Sequence, residues 1–204
     1  NKVLSLNGDE PEFFNAIPWE IVYNSADLYQ TKIGEPLSQF YGYVWDGVYQ
    51  YEDFDIVDDQ YVLKEGVTGN GTTNVQPGDI KYRDLDGNLE IGDADRTIIG
   101  NPLPKHTGGF ANNFSYRGIQ LHLFFQWSYG NDAMNANRII FEGNALHRMN
   151  LNQYSSYENR WTPDNPSNTL PRIGGQGLRG VYSSRTIEDA SFIRLKTFSL
   201  GYDI

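Results

Sequence analysis

The sequence has no cysteine, no long hydrophobic run and little positive charge. Without cysteine, disulfide bonds, zinc–thiolate sites and thiol catalysis are excluded. The longest apolar runs span a few residues, whereas a membrane-crossing helix needs about 18 or more. Lys and Arg number 16 against 26 Asp and Glu, for a net charge of −10. This balance argues against a nucleic-acid partner, because phosphate binding needs clustered basic side chains.

Aromatic residues and glycine are plentiful instead. The 204 residues include 14 Tyr, 11 Phe, 4 Trp and 21 Gly, a composition that favours strands and turns over helices. We therefore expect an all-β protein. Thirteen of the 26 acidic residues lie between Asp46 and Asp95, so this segment is predicted to be solvated or to bind a cation.

The clearest element is the run GIQLHLFFQWSYG. Alternate positions from Ile119 to Tyr129 are apolar or aromatic, and most of the intervening ones are polar. This period of two predicts a strand of about eleven residues with one apolar face. That face ends in Trp127 and Tyr129, as in the aromatic girdle of a membrane β-strand. A strand covering the core of a soluble sandwich would show the same pattern, so both interpretations stay open here.

Two further strands and a long loop are predicted around this run. GGFANNFSYRG alternates as well and leads through Arg117-Gly118 into the next strand, so a hairpin is predicted over 107–130. The closing SFIRLKTFSLGYDI predicts a strand over 191–204 with a polar or bulged upper half. Residues 131–189 are predicted to be a long loop with at most a short helix over 137–149. A tight turn at one end and a long loop at the other are typical of outer-membrane barrels.

The first half is less regular. NKVLSL and DLYQTKI predict short strands, and SQFYGYVWDGVYQYEDF is a tyrosine-rich segment. Residues 46–100 are predicted to be an exposed acidic loop. We expect four to six strands in all, fewer than the roughly eight that close a small barrel.

Several phrases occur together along the chain: FYGY with DGVYQ, PGDIKYRDLDG, DRTIIGNPLPK, FFQWSYGND, ENRWTPDNP and SFIRLKTFSLGYDI. In these phrases and their order, the sequence resembles the SusC/RagA family of TonB-linked outer-membrane receptors over nearly its whole length. The resemblance implies part of a transmembrane antiparallel β-barrel with long extracellular loops, from the C-terminal part of that barrel. Family members also have a plug and a TonB box, so we expect residues 1–204 to be a fragment.

The resemblance also implies a function in nutrient uptake. A SusC-like barrel lies in the outer membrane of a Gram-negative bacterium, pairs with a SusD-like lipoprotein and imports a glycan or a peptide. The strands of this chain would contact outer-membrane lipid, and TonB would be reached only through parts absent from it. No catalytic residue is predicted, because the sequence has no G-x-S-x-G elbow, phosphate loop or zinc-binding histidine spacing.

The stretch DLDGNLEIGDAD is spaced like a calcium-binding loop. Side-chain oxygens fall at positions one, three, five and twelve, and the carbonyl of Glu90 falls at position seven. The predicted Ca2+ ligands are Asp84, Asp86, Asn88, Glu90 and Asp95. Position six holds Leu89, where a left-handed turn costs a leucine about 1 kcal/mol. The alternative is an acidic turn in which aspartate side chains cap backbone amides.

A second class of function comes from the tyrosine-rich segment. Tyr43, Trp45 and Tyr49 fall on one alternate set, and aromatic faces of this kind can stack on sugar rings. They are the predicted ligand-binding residues of the alternative function, a soluble carbohydrate-binding β module. In a receptor, the same rings are expected to pack against the plug or the lid.

Overall fold

The computed structural model describes residues 2–8, 10–16, 27–142, 151–175, 177 and 182–203. Within this part of the chain, strands carry most of the regular structure and the α-helix α1 (Ala136–Phe141) is short. No helix there is both long enough and apolar enough to cross a membrane. The strands are β1 (Glu12–Asn15), β2 (Tyr29–Lys32), β3 (Gln39–Tyr43), β4 (Trp45–Val48), β5 (Phe54–Val57), β6 (Gln60–Leu63), β7 (Ile80–Tyr82), β8 (Arg96–Gly100), β9 (His106–Tyr116), β10 (Ile119–Tyr129), β11 (Asp132–Met134), β12 (Ile187–Asp189) and β13 (Phe192–Tyr202).

The three longest strands form one antiparallel sheet. β9, β10 and β13 have 11 residues each and lie in the order β13-β10-β9, with Ile119 between Tyr116 and Tyr202. The turn residues Arg117 and Gly118 have φ angles of 48° and 83°, as a two-residue type I′ hairpin requires. These strands lie where the sequence pattern predicts them, over 107–130 and 191–204, with Ile204 outside the described residues.

β13 contains a bulge in its middle. Phe124 pairs with Thr197 while Phe125 pairs with Leu195, so Lys196 has no counterpart on β10. The extra residue brings Leu195 and Phe198 to the same face although they are three positions apart. This feature explains the interrupted alternation that the sequence shows in this strand.

The segment 46–100 differs from the exposed acidic loop that its composition predicts. β4 pairs with β7, β5 pairs with β6, and β8 joins the sheet β1-β2-β3-β8. Tyr49, Phe54 and Val75 form a buried cluster inside it. The described residues thus contain more strands than the four to six expected, because strands of three to five residues show too few alternations to be recognised.

Of the two short strands predicted near the start of the chain, the structure contains the second. DLYQTKI forms β2, whereas residues 2–6 form no strand although NKVLSL predicts one. They are held at the Val3 amide, which donates to the carbonyl of Glu35 over 2.9 Å. Residues 2–6 therefore lie beside the turn that follows β2.

Residues 131–189 also contain regular structure at their base. β11 pairs with β12, and this pair closes the segment where β10 ends and β13 begins. Helix α1 begins one residue before the helix predicted over 137–149, whose residues 143–149 lie outside the described part. A further cluster of Leu28, Phe40 and Tyr182 packs against Met134 and Ile187 of this pair.

Candidate functional site

One face of the long sheet is apolar and exposed. Its large side chains are between 47% and 74% exposed, namely Phe110, Phe114, Tyr116, Ile119, Tyr129, Ile193, Leu195, Phe198, Leu200 and Tyr202. The register places Leu121, Leu123, Phe125 and Trp127 between them on β10. None of the residues that the register assigns to this face is Asp, Glu, Lys or Arg, and the unpaired bulge residue Lys196 is exposed. An uncharged exposed surface of this length needs an apolar environment around it.

Aromatic rings with polar tips lie at both ends of this face. Tyr116 and Tyr202 flank the tight turn, while Trp127 and Tyr129 lie at the opposite end. A Cβ at Gly108 would overlap the Trp127 ring, so glycine lets this ring lie across the neighbouring strand. Trp127 Nε1 donates to His106 Nδ1 over 3.1 Å. Two aromatic rows separated by an apolar band are the pattern of a membrane β-barrel wall.

The opposite face of the sheet is largely polar and makes local hydrogen bonds. His122 Nδ1 lies 2.5 Å from Asn113 Oδ1, and Gln120 Nε2 donates to Asp203 Oδ2 over 2.5 Å. Near the other end, the Arg194 guanidinium lies 4.1 Å from the centre of the Phe192 ring. This division into an apolar and a polar face is typical of a strand between lipid and an aqueous lumen.

The structure brings together three of the five predicted calcium ligands. Carboxylate oxygens of Asp84, Asp86 and Asp95 lie within 4.8 Å of one another. Asn88 and Glu90 are both exposed, and the Glu90 amide donates to Asn88 Oδ1 over 2.7 Å. Calcium binding by these residues stays a prediction.

Backbone amides already occupy the same carboxylates. Asp84 accepts from the amides of Gly87 and Leu89 over 2.6 and 2.8 Å. Asp95, which is fully buried, accepts from those of Leu85 and Gly92 over 2.7 and 2.8 Å. Desolvation raises the pKa of Asp84, but the amides of Leu89 and Gly87 oppose it and hold that pKa below 3.8. These contacts close the loop as the acidic-turn alternative predicts.

Leu89 adopts the conformation that the loop spacing demands. Its φ angle is 66°, in the left-handed region that favours glycine. The Leu89 carbonyl accepts from the amide of Gly69 over 3.0 Å, which ties the strained position to a neighbouring segment. The leucine therefore does not prevent the turn, although it carries the conformational cost.

The predicted ligand-binding aromatics do not form one exposed row. Tyr43 is buried against Ile80 and Tyr82, and Tyr49 is fully buried with its hydroxyl donating to the carbonyl of Thr68. Burial raises the pKa of the Tyr49 hydroxyl. Only Trp45 is partly exposed, and its Nε1 donates to the carbonyl of Gly47 over 2.9 Å. Two of the three rings are thus core residues and one is partly exposed, and ligand binding by them stays a prediction.

Contacts between residues far apart in the chain join the part around β4 and β7 to the segment 151–175. Trp161 Nε1 donates to Gln50 Oε1 over 3.1 Å, and the Val48 amide donates to Asn168 Oδ1 over 2.8 Å. Arg172 pairs with Asp79 over 2.7 Å. No local sequence pattern indicates these contacts, because the partners lie far apart in the chain.

A second anchor is buried beneath α1. Arg185 is 5% exposed and donates to Glu142 Oε2 over 3.0 Å, while Arg138 donates to the same oxygen over 2.8 Å. Ser156 supplies a further hydrogen bond to the other oxygen of Glu142. Desolvation lowers the pKa of Arg185, and the carboxylate of Glu142 opposes this shift. The cluster connects the helix to the turn that precedes β12.

Comparison with known proteins identifies long relatives of this short chain. No family model matches it. It is 33% identical over 204 residues to TonB-dependent receptor P3 of Formosa agariphila, covering all of this chain and 18% of that protein. It is 29% identical over 206 residues to TonB-dependent receptor P26 of the same organism, covering all of this chain and 19% of that protein.

Solved structures show the same fold. The RagAB peptide transporter matches with a TM-score of 0.67 at 22% identity, covering 98% of this chain and 19% of that one. The RagAB peptide importer in its open-open state matches with a TM-score of 0.64, covering 98% of this chain and 18% of that one. The chain therefore spans about a fifth of the length of the relatives that it matches.

Proposed function

We propose that this chain is part of a TonB-dependent receptor of the SusC/RagA family and forms part of an importer in the outer membrane of a Gram-negative bacterium. In this importer, β9, β10 and β13 are part of the barrel wall. The turn Arg117-Gly118 lies on the periplasmic side, and the segments 27–100 and 131–189 lie on the extracellular side, where long loops are found.

The uncharged face of the long sheet carries this proposal. A strand of about 9–11 residues, tilted by about 45°, spans the hydrocarbon core of a bilayer. All three strands have this length, and their apolar faces coincide in register. A soluble carbohydrate-binding module would leave this face in contact with water, so the exposed apolar band disfavours that alternative.

For the cargo we propose an oligosaccharide or a peptide, with a SusD-like surface lipoprotein as the lid. The similar RagAB structures are those of a peptide transporter, which supports a peptide as one cargo class. Coupling to TonB belongs to parts of the receptor outside this chain. The relatives are receptors and importers rather than enzymes, in agreement with the prediction that the chain has no catalytic residues.

Two experiments test the proposal. An antibody raised against this chain should detect, in the outer-membrane fraction of source cells, a band several times larger than 23.2 kDa. A soluble band near that mass contradicts the importer. Deletion of the gene, followed by growth on either peptides or oligosaccharides as the limiting nutrient, then distinguishes the two cargo classes. Growth that is unchanged on both contradicts the proposed cargo.

A further inference from the structure

The long sheet has a recess in its apolar face, at the end opposite the tight turn. Trp127 and Tyr129 of β10, His106 of β9, Ile193 of β13 and Ser191 line it. Its volume is about 420 Å³, which is within the range of roughly 300–1,000 Å³ that small-molecule sites occupy. We call this space the rim recess, because it lies where the uncharged face of the sheet ends.

The aromatic side chains of the rim recess are held in place. Trp127 lies across β9 where Gly108 has no Cβ, and its Nε1 donates to His106 Nδ1 over 3.1 Å. The His106 ring in turn stacks on Tyr129, with ring centres 5.1 Å apart and an angle of 27° between the planes. The recess is therefore preformed, and binding there orders few side chains.

A lysine lies directly beside the rim recess. The Lys105 amide donates to the carbonyl of Tyr129 over 2.9 Å, and a Cβ at Gly130 would overlap the Lys105 side chain. The aliphatic stem of Lys105 thus lies against the end of β10. Lys105 is exposed and forms no ion pair within the described ranges of the chain. A lysine with its stem on apolar surface and its ammonium in water suits the headgroup level of a membrane.

The place of the rim recess in the sheet limits what can cover it. The recess is centred on β10, which lies between β9 and β13. Further strands of a barrel wall pair with the outer edges of β9 and β13, so they extend the sheet sideways and leave the face of β10 open. The recess is also continuous with the uncharged band that contacts lipid in the proposed importer.

Membrane lipid with an anionic headgroup matches both parts of this site. An acyl chain covers the apolar walls of the recess, whereas a water-soluble ligand would have to enter through the lipid-facing side. Two carboxylates of the neighbouring β11–β12 pair, those of Asp132 and Asp189, accept backbone amides over 2.7 and 2.8 Å. Lys105 therefore has no carboxylate partner among the described residues, and its charge favours an anionic group.

We propose that the rim recess binds one lipid of the outer leaflet, with an acyl chain between Trp127 and Ile193 and an anionic headgroup at Lys105. This inference rests on the proposed function, since it requires the long sheet to lie in a membrane. The bound lipid would cover the end of the wall where the long strands meet the β11–β12 pair.

The test uses the purified full-length receptor in detergent, with phosphatidylglycerol or phosphatidylcholine of identical acyl chains as the probe. Ile193→Trp fills the recess, and Ile193 is 74% exposed, so the larger ring does not strain the sheet. Its matched control is Leu200→Trp, 65% exposed on the same strand and face but near the tight turn. Lys105→Gln removes the charge, and Lys196→Gln at the bulge is its control.

Native mass spectrometry measures the affinity of the first bound lipid. We expect Ile193→Trp to bind phosphatidylglycerol about tenfold more weakly, because the new ring occupies the space of the acyl chain. Lys105→Gln should lower the affinity for phosphatidylglycerol about fivefold and leave that for phosphatidylcholine unchanged. Both controls should bind the two lipids like wild type, and all variants should keep the wild-type Tm.

Three outcomes contradict the lipid site. Equal affinities of the wild type for the two lipids, or equal binding by Ile193→Trp and Leu200→Trp, overturn it alone, provided that the receptor fractionates with the outer membrane. Dissociation of a receptor oligomer by Ile193→Trp, with lipid binding retained, assigns the recess to a contact between copies and also overturns it. A receptor that is absent from the outer-membrane fraction overturns the proposed function together with the lipid site.

Discussion

Arg172 Nε donates to Asp79 Oδ1 over 2.7 Å and joins two segments that are 93 residues apart. Asp79 is 6% exposed, and its other oxygen accepts from the amide of Gln76 over 2.9 Å. Gly78, one residue earlier, lies beneath the ring of Trp161. The turn at 77–79 is therefore where the long segment after β10 meets the first half of the chain.

Loss of the arginine should destabilise this junction. In Arg172→Met, the buried carboxylate of Asp79 loses its charged partner, and the expected cost is about 1–3 kcal/mol because the arginine is partly solvent-exposed. Limited proteolysis of the purified receptor should show faster cleavage within 151–175.

Burial already raises the pKa of Asp79, although the Gln76 amide and Arg172 oppose it. Because the pKa of Asp79 in the folded protein is raised above 3.8, protonation of Asp79 favours folding at low pH, and this contribution is lost as pH rises. The destabilisation caused by Arg172→Met should therefore grow towards neutral pH. A defect that is equal at pH 4 and pH 7 would contradict this assignment.

Substitution of Gly78 should be more damaging than substitution of another left-handed glycine. Gly78 and Gly66 have φ angles of 90° and 82°, but only at Gly78 would a Cβ overlap a neighbouring ring, that of Trp161. Gly66→Ala should therefore cost about 1 kcal/mol from backbone strain, and Gly78→Ala several kcal/mol. Thermal unfolding of the two variants side by side measures the difference. Equal Tm values would show that the ring moves aside freely.

Charge on the apolar face should impair membrane insertion. Phe198→Arg places a cation near the middle of the exposed band, where the expected cost is about 2–4 kcal/mol. Ser199→Arg, one position further on, places the same charge on the polar face and serves as the control. The amount of folded receptor in the outer membrane should fall for Phe198→Arg alone. Similar losses for both variants would mean that the two faces are assigned wrongly.

Calcium binding at the acidic loop remains a prediction with a direct test. If Asp84, Asp86 and Asp95 hold Ca2+, millimolar calcium should raise the receptor's Tm, because a ligand that binds only the folded state stabilises it. Asp86→Asn should remove most of this rise, and magnesium should not reproduce it. A Tm that calcium leaves unchanged would assign the loop to the acidic-turn alternative.

The same loop should loosen in acid. The pKa of Asp84 lies below 3.8, since its amide hydrogen bonds outweigh desolvation, so ionised Asp84 stabilises the closed loop above that pH. This contribution is lost as pH falls through the lowered pKa. Amide protection of Gly87 and Leu89 should therefore decrease in that range, and Asp84→Asn should show little change there. Protection that persists in wild type at low pH would show that other contacts close the loop.

The sequence predicts the three long strands well because their signals are local. Eleven alternating residues and a turn at Arg117-Gly118 define the hairpin without reference to the rest of the chain. The bulge at Lys196 was indicated for the same reason, since the alternation itself is interrupted there. The alternation of apolar and polar residues and the residues of the tight turn are sufficient to predict this part of the fold.

The outer segments were predicted poorly because distant contacts decide their structure. Tyr49 is buried by Phe54 and Val75, and Tyr43 is buried by β7, so neither ring is available as an exposed platform. The hairpin β5–β6 has a strand pattern obscured by acidic residues and a turn formed by two aspartates with positive φ. Leu89 adopts the left-handed conformation that the loop spacing demands, although this region is unfavourable for leucine.

The position of the anchors has a consequence for how such receptors diversify. Gln50 and Trp161, Val48 and Asn168, and Asp79 and Arg172 all join the outer segments at their bases. Insertions or substitutions further out, as in the hairpin β5–β6, need not disturb these bases or the long sheet. The outer ends of these segments can therefore vary in length and sequence while the anchors and the long sheet keep their structure.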